Sequence, residues 1–156
     1  MKEVRKYLNF EGILEESPKL NKEQKSAILK RFVESEKALL FGVQGGSFDQ
    51  GIDIPNNSLK CVIIAGLALA TPDLEIKSLI DCYNRKYGHG IEYGYIFPAI
   101  QKAIQASGRA IRSEKDRAVI VYLDERFLWR NYRRVLEGED FIVSKEPWIE
   151  IRKFWN

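Results

Sequence analysis

Between Leu59 and Leu69 the chain is almost unbroken in apolar residues, Leu59-Lys-Cys-Val-Ile-Ile-Ala-Gly-Leu-Ala-Leu69. A strand with one solvated face alternates apolar and polar residues, whereas this run is apolar at both parities and needs cover on both faces. A parallel sheet between helices meets that condition. Ala38-Leu-Leu-Phe41 and Ala118-Val-Ile-Val-Tyr-Leu123 have the same character, and strands are predicted over 38–43, 59–69 and 117–123. The intervening stretches read as helices. Asn21 and Gln24 have capping-box spacing and predict a helix running to about Glu36 that buries Ile28, Leu29 and Phe32. Thr71-Pro72 reads as a helix start with threonine as cap. Ile76, Leu79, Ile80, Tyr83 and Tyr87 then trace one stripe, which Gly88-His89-Gly90 ends. Met1 to Leu8 looks helical, and Glu11 to Leu20 reads as a polar connector. Strands alternating with helices predict an α/β fold on a parallel sheet.

Composition narrows the function classes. At 156 residues the chain is expected to form one domain. Lys and Arg exceed Asp and Glu by only 25 to 22, so any nucleic-acid site has to be local rather than a property of the bulk charge. No apolar stretch approaches the ~20 residues that span a bilayer, and Met1-Lys-Glu-Val-Arg-Lys6 lacks a secretory apolar core. Cys61 and Cys82 have no metal-ligand spacing and read as reduced structural residues of a cytoplasmic protein. His89, the single histidine, reads as an exposed loop residue.

Two runs carry chemistry. After the first predicted strand comes Gly42-Val-Gln-Gly45-Gly46-Ser47-Phe-Asp49-Gln50-Gly51-Ile-Asp53-Ile-Pro55. Glycines there let the backbone approach a ligand, and their N–H groups can hold phosphate; they also suit an ordinary turn. Asp53 offers an acceptor for a ribose hydroxyl or an arginine. Downstream lies Gln105-Ala-Ser-Gly108-Arg109-Ala-Ile-Arg112. On a continuous helix Gln105, Arg109 and Arg112 share one sector, while Ile100, Ile104 and Ile111 occupy a neighbouring, core-facing one. Arginine binds phosphate oxygens bidentately and keeps its charge. A solvated amphipathic helix with two surface arginines fits the spacing equally well.

In this order the two runs resemble motifs V and VI of XPD/DinG-type superfamily 2 DNA helicases. Phe48-Asp49-Gln50-Gly51-Ile52-Asp53 resembles motif V, and Gln105 to Arg112 resembles motif VI. The likeness includes Val62 to Leu67, Thr71-Pro72-Asp73, and Ser113 through Asp124-Glu-Arg-Phe127, so it runs from about Ala38 to Phe127. It implies an α/β, RecA-like parallel sheet flanked by helices and lacking its first strand. Residues 1–156 would form the C-terminal, second RecA-like motor domain, with 128–156 as a C-terminal helical extension. ATP and Mg²⁺ would sit in a cleft shared with an N-terminal motor domain. Arg112 would be the arginine finger, Arg109 a second phosphate contact, and Gln105 a hydrogen-bonding partner of the nucleotide or attacking water. Gly51, Asp53 and Gln50 would meet the nucleotide, and Gly45, Gly46 and Ser47 a phosphate of single-stranded DNA. Tyr93 and Tyr95 are open between base stacking and packing; Tyr83 and Tyr87 read as core.

Some features depart from the family pattern. Many relatives have Ser-Glu where this chain has Asp49-Gln50; the glutamine keeps the hydrogen bonding of that glutamate but loses its charge. No G-x-x-x-x-G-K-[ST], no acidic Walker B box and no four cysteines for an iron–sulfur cluster occur. Alone, the chain is expected not to hydrolyse ATP, and it reads as a fragment, a split half or a degenerate relative. A non-catalytic DNA-binding or protein-interaction module derived from a helicase domain is the alternative. Arg126, Arg130, Arg133 and Arg134 make a basic patch on one terminal helix or simply its solvated face. The resemblance further suggests a role in DNA repair.

Overall fold

A computed structural model describes residues 4, 6–46, 48, 54, 58–111, 113–136 and 140–156. The chain divides into two compact units, residues 1–58 and 59–156.

In the first unit, β1 (Ile13–Glu15) and β2 (Leu39–Phe41) pair in parallel, with Ile13 opposite Leu39 and Glu15 opposite Phe41. The expected polar connector over Glu11 to Leu20 therefore contains a strand. Three residues are too short to display a period, and the strand is made by its partner: Leu39 N–H donates to Gly12 O at 2.9 Å and Glu16 N–H to Phe41 O at 2.8 Å. The crossover that a parallel pair requires is α1 (Lys22–Glu34). Its capping box forms as expected, Gln24 N–H to Asn21 Oδ1 at 2.8 Å and Asn21 N–H to Gln24 Oε1 at 3.0 Å. It ends two residues before Glu36, capped by Ser35, and Ile28, Leu29 and Phe32 are half-buried rather than buried. Residues 1–3 and 5 of the expected N-terminal helix lie outside those described; Tyr7 N–H donates to Val4 O at 3.1 Å.

In the second unit, β3 (Cys61–Ala65) and β4 (Val119–Leu123) are parallel, Cys61 opposite Val119 and Ala65 opposite Leu123. β3 is shorter than the apolar run because Gly66, at φ +88°, turns the chain out of the sheet. The following helix, α2 (Leu74–Tyr87), is capped by Asp73 and not by Thr71: Asp73 Oδ1 accepts from Ile76 N–H at 2.9 Å. Proline at the residue before Asp73 keeps Thr71 outside the helix. On the predicted stripe Ile76, Ile80 and Tyr83 are half-buried, while Leu79 and Tyr87 are exposed. Gly88 closes α2 in the left-handed conformation, φ +72°, its N–H on Asn84 O.

A π-helical turn (Glu92–Ile96) packs on α2 and runs directly into α3 (Phe97–Ser107). Gly94 permits that approach: a Cβ there would lie 3.0 Å from Ile80 N. Ile64 of β3, Ile96, Ile100 and Ala103, and Phe127, Tyr132 and Leu136 of the segment after β4 form the core, with Ile100 fully enclosed. That segment comprises a 3₁₀ turn (Glu125–Leu128), α4 (Arg130–Arg133) and a second 3₁₀ turn (Arg134–Leu136). Finally α5 (Pro147–Trp155) packs on β4. Arg117, just before β4, donates to Phe154 O at 3.0 Å and lies over the Phe154 and Trp155 rings; Lys60, just before β3, lies 5.9 Å from the Trp155 ring centroid. Among the described residues no helix is long and apolar enough to cross a membrane.

Candidate nucleotide and DNA site

Ligands of parallel α/β sheets gather beyond the carboxyl ends of the strands, and Gly45 and Gly46 follow such an end, that of β2. In the first unit β2 runs into the glycine loop. Val43 to Gly46 form a tight turn, Gly46 N–H to Val43 O at 2.7 Å, with Gly45 at φ +77°. A carboxylate holds this turn. Glu16, directly after β1 and 9% exposed, accepts Val43 N–H on Oε2 at 2.8 Å and Phe48 N–H on Oε1 at 3.4 Å. A Cβ on Gly46 would come within 2.8 Å of both carboxylate oxygens and 2.7 Å of Val43 O. Glycine is required at that position by the closeness of the clamp. Glu16, Pro18, Lys25, Val43 and Gly46 line a cleft of about 290 Å³.

Sequence reasoning passed over Glu16. The signal available was slight: a two-residue apolar step, Ile13-Leu14, followed by a glutamate pair. Of the other residues assigned to this loop, Ser47, Gln50, Gly51 and Asp53 lie outside the described residues.

In the second unit the arginine run is not one continuous helix. α3 ends at Ser107, and Gly108 and Arg109 occupy a turn, with Gly108 N–H on Ile104 O at 2.8 Å and Ala110 N–H on Ser107 O at 3.0 Å. The shared helical sector expected of Gln105, Arg109 and Arg112 is therefore broken after Gln105, and Ile111 is 45% exposed rather than core-facing. Two local causes act together. Ser107 Oγ turns back onto Ile104 O at 3.0 Å and meets Tyr122 Oη of β4 at 3.1 Å, tying the helix end to the sheet. Glycine at the next position then has the least to lose by leaving the helix. Gln105 is exposed on the last turn, and Arg109 is half-buried with its Nε enclosed. Arg112 lies outside the described residues.

Beyond the ends of β3 and β4, Gly66 faces Asp124: a Cβ on the glycine would sit 3.9 Å from Asp124 Oδ2. Arg126 grips that carboxylate through Nε (2.9 Å to Oδ1) and a terminal nitrogen (2.6 Å to Oδ2), and its backbone N–H adds a bond at 2.9 Å. The Arg126 guanidinium bond holds the Asp124 carboxyl below the ordinary carboxylate range, against the opposing effect of burial. The four arginines predicted on one helix are thus divided: Arg126 belongs to the first 3₁₀ turn, Arg130 and Arg133 to α4 and Arg134 to the second turn.

Tyr93 is 40% exposed within a ring cluster that includes Tyr83, Tyr87, His89 and Phe97. Tyr87, expected in the core, is 51% exposed because the stripe outlasts the surface it packs on. Tyr95 packs against the core cluster. Cys61 and Cys82 are free, and burial pushes the Cys61 thiol up. Among the described residues no group of three or more His, Cys, Asp or Glu could hold a metal ion.

The family model described as the helicase C-terminal domain matches residues 1–139, from before β1 past the second 3₁₀ turn. The chain belongs to that family. It is a helicase C-terminal domain of the XPD/DinG type. It is 34% identical over 106 residues to a regulator of telomere elongation helicase 1 homolog of Oryza sativa subsp. japonica, covering 62% of this chain and 10% of that protein. It is 32% identical over 116 residues to the 3'-5' exonuclease DinG of Staphylococcus saprophyticus subsp. saprophyticus, covering 73% and 12%. A solved XPD helicase is similar with a TM-score of 0.65 at 26% identity, over 86% of this chain and 24% of that one. The helicase domain thus spans about a tenth of the length of these two sequence relatives. Its two parallel strand pairs are consistent with a RecA-like fold lacking strands.

Proposed function

We propose that this helicase domain is the second motor domain of an ATP-dependent DNA helicase and completes an ATP site shared with an N-terminal motor domain. The observation that carries the reading is the family match over residues 1–139, which takes in both the glycine loop and the arginine run. Arg112 is the arginine finger, stabilising charge on the transferred phosphoryl group, and Arg109 is the second phosphate contact. Gln105 orients the nucleotide or the attacking water. Gly51, Asp53 and Gln50 meet the ribose side of the nucleotide. Gly45, Gly46 and Ser47 hold a phosphate of single-stranded DNA, with the exposed Tyr93 as a base contact and Tyr95 left to packing, so that the loop after β2 links nucleotide state to DNA grip. Mg²⁺ neutralises phosphate charge in such sites. We assign its protein ligands to the N-terminal domain.

The test is the ATPase rate of the two-domain enzyme with Arg112→Ala. Loss of a finger lowers turnover by ~10³-fold or more; an unchanged rate would overturn the assignment. Gln50, uncharged where many relatives have glutamate, favours a second reading as a non-catalytic DNA or partner-protein platform. DNA binding without any stimulation of ATP turnover by a first motor domain would select it.

A further inference from the structure

The segment following β4 contains a cationic surface that the motor reading leaves unused. Residues 126–136, Arg-Phe-Leu-Trp-Arg-Asn-Tyr-Arg-Arg-Val-Leu, hold four arginines, with Glu125 before them and Glu137, Glu139 and Asp140 after them. The fold separates them into two kinds. Arg126 is bound to Asp124. Arg130, Arg133 and Arg134 are exposed, and the described residues place no carboxylate in ion-pair range of them; Asp140, the nearest described acidic residue downstream, is exposed and pairs with none of them.

The segment that carries them is anchored. Phe127, Tyr132 and Leu136 are 5%, 8% and 3% exposed and belong to the core cluster. With those three turned inward, α4 presents Arg130 and Arg133 one helical turn apart, and Arg134 stands one turn from Arg130. Trp129 precedes them, its indole set edge-on to Tyr132 at 5.8 Å between centroids yet 51% exposed. An exposed indole beside three exposed guanidinium groups is complementary to a flexible polyanion with free aromatic faces. Duplex DNA offers the charge but keeps its bases stacked on one another; single-stranded DNA offers both.

We infer that Trp129, Arg130, Arg133 and Arg134 form a contact for single-stranded DNA in addition to the residues proposed above: the arginines hold successive phosphates and the indole stacks on one base. This inference rests on the reading of the chain as part of a DNA motor.

The test is anisotropy of fluorescein-labelled oligothymidylate with the purified chain over a salt series. Three lost phosphate contacts on a single strand lower the slope of log K against log salt by about 2. R130A/R133A/R134A is expected to show that fall with weakening of about tenfold or more, while R130K/R133K/R134K keeps the slope. Trp129→Ala is expected to weaken binding by roughly 5- to 150-fold at unchanged slope, the range of one lost base stack. If the chain binds the oligonucleotide and the triple alanine variant matches it in affinity and slope, this contact does not exist, whatever becomes of the ATP site. If the chain binds no DNA, the contact fails as well; the arginine-finger assignment is judged separately by the Arg112→Ala rate.

Discussion

Each unit has a pair of parallel strands, and each pair has a carboxylate one residue beyond a strand end, facing a glycine beyond the end of the neighbouring strand. In the first unit these are Glu16 after β1, with Gly42 and Gly46 after β2; in the second, Asp124 after β4, with Gly66 after β3. The carboxylates are held very differently. Glu16 accepts backbone N–H groups 27 and 32 residues away, so it organises a loop distant in sequence. Asp124 is gripped by the side chain and N–H of Arg126, two residues on. The first carboxylate is a clamp on another segment, the second a local lock. Loops that meet ligands gain from the first arrangement, because a long-range clamp fixes their position against the sheet rather than only their own shape.

The comparison predicts its largest effect at Glu16. Glu16→Ala strips the acceptor from two backbone donors, one of them in buried Phe48, and is expected to cost about 3 kcal/mol in denaturant unfolding. It should also speed proteolytic cutting within residues 42–48. Glu16→Gln retains one acceptor oxygen and should recover about half of the loss. Equal stability of all three proteins would show that the loop is held by other contacts and remove the distinction drawn between the two carboxylates.

A smaller effect separates two adjacent glycines of the clamped turn. In Gly46→Ala the new methyl group meets Val43 O and the Glu16 carboxylate at under 3.0 Å. Neither neighbour can give way without breaking the clamp, and the expected cost is about 2 kcal/mol. Gly45 has nothing within 4 Å of its Cβ direction, so Gly45→Ala suffers only the left-handed backbone, about 1 kcal/mol. Thermal unfolding of both variants checks the order. A larger loss at Gly45 would mean that backbone conformation, and not the approach of Glu16, demands these glycines.

What could be read in the sequence follows the same division between local and distant causes. The Asn21–Gln24 capping box, the stop at Gly88 and the parallel character of 61–65 and 119–123 rest on neighbouring residues, and they form as expected. The family resemblance was carried by contiguous runs for the same reason. β1 was missed because its pairing with Leu39–Phe41 makes it a strand, and Glu16 because the amides it binds lie beyond a helix. The break at Gly108 depended on Tyr122, fifteen residues on, reaching Ser107. The stripe on α2 was correct in period but its reach was not, since how far a helix face is covered depends on what packs there. Asp124 and Arg126 could be seen together in Asp-Glu-Arg, yet Arg126 was grouped with the later arginines; only the hydrogen bonds separate it from them.

The smallest effect tests the local lock. Asp124 has a lowered pKa in the folded protein, caused first by the Arg126 guanidinium bond. A depressed folded value means that the native state favours the ionised carboxyl. The resulting stability is complete above the unfolded aspartate value of about 3.9 and disappears as pH falls through the lower folded one. The Asp124 side chain is 11% exposed and Arg126 31% exposed, so solvent screens the pair only in part, and a bidentate lock of this kind contributes about 1 kcal/mol. Asp124→Asn is expected to lower stability by that amount at pH 7, and the difference shrinks as pH falls below about 3.9 toward the lowered folded value. Urea midpoints measured across that range decide it. A difference that persists undiminished in acid would assign the loss to packing around Gly66 and not to charge, and Asp124 would then be no lock but a spacer between two strand ends.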